Sequence, residues 1–396
     1  MKMKYRPEID GLRAVAILPV IFFHAGISFF SGGYIGVDVF FVISGFLITH
    51  IILSELNDGR FSIRQFYERR ARRILPALFT MLFVCLPFAW LWMSPFQFKD
   101  FLQNLGSVIF FASNFILAGE SGYFAAAAEE MPLLHTWSLA VEEQYYLFIP
   151  LILVFLWRFG IKWSFSIVSV MALGSLLLTH LMLEIDPTKN FYLLPTRAWE
   201  LLVGSMCAFV VRGKPQNPNS ALASIGLVLI LVSVVYFDAT TPFPSFYTLL
   251  PVVGSALIIL YASQKELVGK ILSQKPFVWI GLISYSAYLW NQPLFAFYRV
   301  RFPGEESDIT LITLSIAALI ISYFSWRFIE MPFRKGGLPW FQSNKVFTII
   351  FVSLAVVLTG FGASNNVLRT KNHDWYATII PARSDADQMA GSCFLL

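Results

Sequence analysis

The feature that most constrains this chain is a pair of ionisable side chains inside a segment apolar enough to enter a bilayer. Arg13 and His24 both lie in the run LRAVAILPVIFFHAGISFF, residues 12–30. Ionisable groups inside a membrane span are costly and generally mark a pathway, a relay or a reaction centre. An interfacial arginine and a histidine bonded to a neighbouring carbonyl would be the simpler interpretation of the same pair.

The spacing of this pair adds a geometric expectation. On one helix, Arg13 and His24 would be separated by about 16 Å of rise and would face within roughly 20° of each other. Arg13 would then lie at one mouth of the membrane and His24 just past its middle. The segment therefore predicts chemistry, or a relay, along one face of the first membrane helix.

Composition indicates that the bilayer is the solvent of this chain. Of its 396 residues, 57% are hydrophobic and only 13% are charged, too little charge for a soluble domain of this size. The net charge of +5 gives no reason to expect nucleic-acid binding, because the basic residues flank apolar runs. Cys85, Cys207 and Cys393 have neither metal-site spacing nor a disulfide framework, so no metal is expected.

Apolar runs of about 20 residues predict an all-α, polytopic transmembrane helical bundle of about eleven spans. The run at 103–118 is predicted to be an outer-side or re-entrant helix, because counting it as a span would spoil the alternation of loop charge. The predicted spans are residues 12–30, 35–55, 75–94, 143–158, 163–183, 198–211, 220–236, 247–263, 277–297, 309–329 and 346–363.

Loop charge also sets the expected orientation. Lysine and arginine concentrate in alternate loops, which predicts a cytoplasmic N-terminus and, with eleven spans, a periplasmic C-terminus. We expect a transmembrane domain over 1–335, an additional transmembrane helix over 336–364 and a periplasmic tail over 365–396. The tail has no closing element, so we expect it to be the start of a linker or the edge of another domain.

A cluster of arginines precedes the predicted third span. Anchoring by positive charge and contact with membrane lipid headgroups are the ordinary interpretations of such a cluster. The alternative is a phosphate site shared with Arg13, because arginine binds phosphate through two parallel hydrogen bonds and stays charged. The arginines of the cluster are Arg69, Arg70, Arg72 and Arg73.

Two further constellations are candidates for chemistry on the outer side. Asp38 enters the second span shortly after His24, so a hairpin could bring the two together and let the carboxylate fix the imidazole tautomer. A helix-capping role for Asp38 is equally compatible. In the run HTWSLAVEEQYY, His135 and Glu142 would share a helix face, and Trp137 suits either a carbohydrate platform or an aromatic belt.

Together these motifs resemble the acyltransferase-3 family of integral membrane acyltransferases. The resemblance extends over nearly the whole chain through Arg334, and several long motifs occur in the family's order. The motifs are IDGLRAVAILPVIFFH, GGYIGVDVFFVISGFLIT, FYERRARRILPAL, HTWSLAVEEQYYLFIP, RAWELLVG, SYSAYLWNQPL and FIEMPFR. The resemblance implies about ten core helices. An eleventh span followed by a periplasmic tail is similar to the subgroup with a fused SGNH-hydrolase domain, whose nucleophile motif is absent from this sequence.

The resemblance implies a transmembrane O-acetyltransferase of the bacterial inner membrane. Its donor would be cytoplasmic acetyl-CoA, without a metal, and its acceptor a hydroxyl of an envelope polysaccharide or lipid-linked sugar, such as lipopolysaccharide O-antigen. A transporter or flippase that uses the buried ionisable groups as a proton relay is the alternative. The sequence, however, shows neither the inverted repeats nor the matched broken helices expected of a transporter.

The resemblance also assigns expected roles to the candidate residues. His24 is expected to be the general base, with an acyl-histidine intermediate as the rival mechanism. Asp38 and Glu142 complete the catalytic set. Arg13, Arg69, Arg70, Arg72 and Arg73 are expected to bind the donor phosphates. The acceptor is expected to contact His135, Trp137, Glu143, Trp290 and Asn291.

Overall fold

The computed structural model describes residues 5–119, 128–212, 217–335 and residue 353, and in these ranges the secondary structure is helical with no strand. The predicted all-α helical bundle is therefore confirmed. The predicted eleventh span, apart from residue 353, and the tail at 365–396 lie outside the described residues.

Fifteen α-helices are present in these ranges. A π-helical turn, Trp326–Glu330, continues α14 directly into α15. In chain order the helices are α1 Pro7–His24, α2 Gly36–Asn57, α3 Ile63–Trp92, α4 Pro95–Ile109, α5 Ser113–Gly119, α6 Thr136–Trp157, α7 Ile161–Ile185, α8 Pro187–Tyr192, α9 Leu194–Val211, α10 Ser220–Tyr236, α11 Leu249–Tyr261, α12 Leu267–Leu272, α13 Lys275–Arg301, α14 Asp308–Ser325 and α15 Met331–Lys335.

The apolar helices are long enough for a bilayer. About 20 residues of helix cross its hydrocarbon core, and six helical segments within the described ranges meet that length and composition. They are Gly33–Asn57, Ile63–Trp92, Thr136–Trp157, Ile161–Ile185, Pro187–Val211 and Asp308–Arg334, with shorter apolar helices at Ser220–Tyr236 and Phe246–Tyr261. The chain is a multi-pass membrane protein.

The segment predicted as an outer-side or re-entrant helix is not one continuous helix. Residues 103–118 run through the end of α4 and most of α5, and the chain turns between them at 110–112. Phe111 has a φ of 51° there, in the left-handed region that ends a helix. This break keeps the segment from forming a single span.

Two helices begin well before the predicted spans. Ser62 caps the start of α3 by accepting a hydrogen bond from the backbone of Gln65, so the arginine cluster lies within the helix rather than in a loop before it. Likewise α6 begins at Thr136, and the run from His135 to Glu143 therefore has helical register. Register decides which of these side chains face the same way.

The bundle packs α1 against α13 and α2, and α2 in turn packs against α9. Glycines allow α2 and α9 to come close. A Cβ added at Gly45 would lie 1.8 Å from the carbonyl oxygen of Leu201, and one at Gly204 would lie 2.0 Å from that of Val42. Small residues at such crossings are typical of membrane helix pairs. The close contact fixes α2 and α9 as one unit beside α1.

Candidate active site

The ionisable pair Arg13 and His24 lies on one continuous helix. α1 runs from Pro7 to His24, so Arg13 lies in its second turn and His24 is its last residue. Eleven residues of helix separate the two by about 16 Å. The two ends of α1 have different surroundings, which we call the His24 site and the arginine cavity and describe in turn.

The His24 ring is held by an amide on α13. Its Nδ1 lies 2.6 Å from Oδ1 of Asn291. The amide nitrogen of Asn291 donates to the carbonyls of Ala287 (3.0 Å) and Tyr288 (2.9 Å), so the amide oxygen is the atom that faces the ring. An amide oxygen only accepts hydrogen bonds. The network therefore assigns the proton of neutral His24 to Nδ1 and leaves the lone pair on Nε2.

His135 lies next to this site. Its ring packs edge-on against that of Tyr288 with centroids 5.3 Å apart, and Tyr288 donates its hydroxyl proton to the His135 carbonyl at 2.7 Å. His135 is buried, and the carbonyl of its neighbour Tyr288 accepts a hydrogen bond from Asn291 at 2.9 Å. Neither of its ring nitrogens makes a hydrogen bond of standard geometry among the described residues. The His24 site thus joins His24, His135 and Asn291.

The predicted pairing of Asp38 with His24 is wrong. Asp38 is fully buried and accepts a hydrogen bond from Arg197 of α9 at 2.6 Å. Helical register is the reason, because the first turn of α2 brings Asp38 to Arg197 on α9. The partner of His24 is instead Asn291, which had been predicted to contact the acceptor.

Arg197 is the centre of a separate buried cluster. Its guanidinium lies 2.6 Å from Asp38 and 3.3 Å from Glu200. Four aromatic rings surround it with centroids 5.3–5.6 Å from the guanidinium carbon, a distance at which cation–π attraction operates. The rings belong to Phe41, Trp137, Phe191 and Phe243.

This cluster changes the interpretation of two predicted acceptor residues. Trp137 is only 5% exposed and packs within the aromatic ring set around Arg197, so it forms no open platform for a sugar. Trp290 is also buried, in the main apolar core. Consecutive residues on a helix point about 100° apart, so Trp290 and Asn291 face different surroundings.

The arginine cavity lies at the other end of α1. It has a volume of about 390 Å³ including its open mouth, and its lining combines cations, acids and phenols. Arg13 reaches it from α1, and Arg70 and Arg73 reach it from α3. The polar lining residues are Arg13, Ser44, Arg70, Arg73, Glu142, Tyr146 and Tyr285.

The four clustered arginines divide into two pairs. Arg69 forms an ion pair with Glu55 at 2.8 Å, and Arg72 forms one with Glu68 at 2.7 Å. Arg70 and Arg73 face the cavity instead. No hydrogen bond or ion pair to either of them is present within the described residues, and the Nε of Arg70 is buried without a partner. Only Arg70 and Arg73 are therefore available to a ligand in the cavity.

Both acids of α6 belong to this end rather than to the His24 site. Glu142 lines the cavity and accepts a hydrogen bond from Tyr146 at 2.7 Å. Glu143 is beside Arg70 and Arg73, and its Oε1 is buried without a partner. Seven helical residues put Glu142 about 10 Å along the axis from His135. The fold thus places Glu142 and Glu143 at the arginine cavity, and the catalytic role of Glu142 and the acceptor contact of Glu143 stay predictions.

Sequence reasoning missed one residue of the His24 site. Arg299, in the last turn of α13, donates a hydrogen bond to the His24 carbonyl at 2.9 Å. In the sequence it looks like an ordinary interfacial arginine at the end of a span. A buried partner 275 residues away leaves no local signal. Within the described ranges, no group of His, Cys, Asp and Glu side chains could hold a metal ion.

Comparison with known proteins agrees with these observations. Residues 6–327 match the family described as "Acyltransferase domain". The chain is 37% identical over 362 residues to the peptidoglycan O-acetyltransferase OatA of Listeria monocytogenes, a match that covers 84% of this chain and 56% of that protein.

Two other similar proteins are also named as O-acetyltransferases. The chain is 33% identical over 368 residues to YrhL of Bacillus subtilis, named "Putative peptidoglycan O-acetyltransferase", covering 87% of this chain and 57% of YrhL. It is 33% identical over 377 residues to a Staphylococcus aureus MSSA476 protein named "Putative O-acetyltransferase", covering 90% and 62%. The chain thus spans about three fifths of the length of these relatives. No solved structure matches it significantly.

Proposed function

This chain belongs to the acyltransferase-3 family, and on that basis we propose that it transfers an acetyl group from acetyl-CoA to a hydroxyl group of an envelope polysaccharide. The observation that carries the proposal is the arrangement on α1. A histidine with an assigned free Nε2 ends the helix, and a cavity with unpaired arginines lies about 16 Å away.

The arginine cavity is the proposed donor site. Coenzyme A carries its phosphates at one end and its thioester at the other, joined by a slender arm. Arg70 and Arg73 would bind the phosphates through paired hydrogen bonds, with Arg13 beside them. Arg13 also forms an ion pair with Asp10 at 2.9 Å. We do not assign Arg69 and Arg72 to this role, because they pair with Glu55 and Glu68 and do not line the cavity. The arm would then follow α1 toward His24.

The proposed acceptor is a sugar hydroxyl that approaches His24 from the periplasm. Two of the relatives are named for peptidoglycan, which makes peptidoglycan the first acceptor to test, with lipopolysaccharide O-antigen as the second. Both present the same reacting group, a sugar hydroxyl. His135 is the proposed acceptor contact, because its ring packs against Tyr288 next to the His24 site.

In the proposed reaction, Nε2 of His24 takes the proton of the hydroxyl as its oxygen attacks the thioester carbonyl carbon. The carbon–sulfur bond breaks, and the proton held by His24 passes to the departing thiolate, which leaves as the free thiol. Asn291 keeps the other ring nitrogen protonated and holds the ring in place throughout. Direct attack by Nε2 to form an acyl-histidine is the alternative route through the same atom.

Transfer of radiolabelled acetyl groups tests the proposal. The full chain, purified into proteoliposomes, would receive [14C]acetyl-CoA on one side and soluble peptidoglycan or O-antigen fragments on the other. We expect label in the glycan, release of free coenzyme A thiol, and neither result with His24→Ala. Passage of labelled material across the membrane without thiol release would instead favour a transporter and contradict the proposal.

The proposal also requires the two ends of α1 to face opposite sides of the inner membrane. Gln65, near the arginine cavity, should be cytoplasmic, and Glu305, beyond α13, should be periplasmic. Single cysteines at these exposed positions, in a chain lacking Cys85, Cys207 and Cys393, would be probed with a membrane-impermeant thiol reagent on spheroplasts. We expect labelling of Glu305→Cys only. Labelling of Gln65→Cys in intact spheroplasts would reverse or abolish the assigned sides.

A further inference from the structure

Arg299 makes contacts that the proposed reaction does not use. Its side chain is 8% exposed, and its guanidinium donates to the main-chain carbonyl of His24 at 2.9 Å. We propose that Arg299 is a positioning residue, which fixes the end of α1 so that the His24 ring keeps the orientation needed for acyl transfer. The inference rests on the proposed function, in which His24 is the reacting base.

The end of α1 explains why such a contact is needed. The last carbonyls of a helix have no donor within the helix. After α1 the chain turns back, and the amides of Ala25, Gly26 and Ile27 bond to the carbonyls of residues 21–23. The carbonyl of His24 is bonded instead by Arg299. A cation at this place is also favoured by the partial negative charge of a helix C-terminus.

Arg299 and Asn291, both on α13, bond to two different atoms of His24. The two side chains lie eight residues apart on α13, which separates them by about 12 Å of rise and about 80° of rotation, and both reach His24. Asn291 holds the ring at Nδ1, and Arg299 holds the main chain of the same residue. One contact alone would leave the ring free to tilt about it. Two contacts from one helix preorganise the group that reacts.

The other partners of Arg299 suggest a competing, purely structural role. Its Nε lies 3.0 Å from a carboxylate oxygen of Glu306 and 3.7 Å from one of Glu129. Glu306 is about one third exposed and Glu129 three quarters exposed. Ion pairs with exposed carboxylates contribute little to stability. Arg299 could nevertheless serve only to attach these loops to α13, and the experiment must separate that role from positioning.

Four variants separate the two roles. Arg299→Ala removes the His24 contact, Arg299→Lys keeps a donor for the carbonyl, and Glu306→Gln weakens only the ion pair. Arg301→Ala is the matched control, because Arg301 lies in the same helical turn but is exposed and stacks on Phe302. Each full chain would be assayed in proteoliposomes for acetyl transfer, with kcat and the KM for acetyl-CoA measured separately.

We expect Arg299→Ala to lower kcat about 10- to 100-fold, since small misplacement of a reacting group costs that much. The KM for acetyl-CoA should stay unchanged, because the arginine cavity lies at the other end of α1. Arg299→Lys should recover part of the loss, and the Glu306 and Arg301 variants should resemble the wild type. Equal losses in Arg299→Ala and Glu306→Gln, or a raised KM with normal kcat, would overturn the proposal.

A second measurement does not depend on catalytic activity. Diethyl pyrocarbonate modifies the free nitrogen of a histidine, and mass spectrometry of the peptide that contains His24 gives its modification rate in each variant. We expect Arg299→Ala to change this rate and Arg301→Ala to leave it unaltered. An unchanged rate in Arg299→Ala would refute the positioning role. Active His24→Ala protein would refute the proposed function instead, so the two failures are distinguishable.

Discussion

His24 at one end of α1 and the arginines at the other differ in whether their polar atoms already have hydrogen-bond partners. At the His24 site, the ring and main chain of His24 are already bonded to Asn291 and Arg299. In the arginine cavity, Arg70 and Arg73 have no partner within the described residues, and a buried oxygen of Glu143 is equally unpaired. Unpaired buried polar groups are costly. His24 itself is therefore held in place before any ligand arrives, whereas the unpaired atoms of the arginine cavity and the ring nitrogens of the neighbouring His135 are buried polar groups that a ligand could satisfy.

The largest test of this comparison is to remove His24. His24→Ala should lower acetyl transfer about 10²- to 10⁴-fold, which is the usual contribution of a positioned acid or base. Membrane insertion should be unaffected, because the loss of a polar group from a helix does not oppose insertion. Activity would be measured by label transfer and insertion by the amount of protein extracted from membranes. A variant with near-normal transfer would show that His24 is structural.

The next largest expected effect concerns the His24 site alone. Asn291→Leu removes the hydrogen bond that fixes the ring and its tautomer, so we expect kcat to fall about 100-fold with little change in the KM for acetyl-CoA. Asn291→Asp keeps an acceptor for Nδ1 and should lose less. Steady-state kinetics in proteoliposomes would measure both. If Leu and Asp at this position behave alike, the bond to Nδ1 does not matter for the reaction.

The smallest expected effect concerns the arginine cavity. Arg70→Ala and Arg73→Ala should each raise the KM for acetyl-CoA about tenfold, because a hydrogen bond to a charged group contributes about 1.5–3 kcal/mol. Their kcat should change little. Arg69→Ala and Arg72→Ala are the matched controls, since both arginines already pair with glutamates. Equal behaviour of all four variants in a titration of acetyl-CoA would contradict the division of the cluster.

The sequence was sufficient to predict the helical bundle and the placement of Arg13 and His24 on one helix. Those features depend on local apolar runs and on spacing within one segment. Asp38 does not pair with His24 as expected, because closeness along the chain does not fix the direction of a side chain. The first turn of α2 directs Asp38 to Arg197, 159 residues further on.

The division of the arginine cluster shows a second limit. Arg69 and Arg70 are adjacent in sequence, yet only Arg70 faces the cavity. A rotation of about 100° per residue decides this, and the sequence alone does not show which face of α3 meets α1 and α6. Asn291 was identified as a polar residue within a span, but its bond to His24 joins residues 267 apart. Such partners follow only from packing.

The continuity of α1 has a consequence for substrate choice. If the donor binds at one end and reacts at the other, the length of α1 sets the distance that the donor must span. One residue inserted between Arg13 and His24 would lengthen it by about 1.5 Å and turn one end by about 100° relative to the other. The chain would then select its donor by the length of the arm that carries the acyl group, whatever the identity of the acyl group itself.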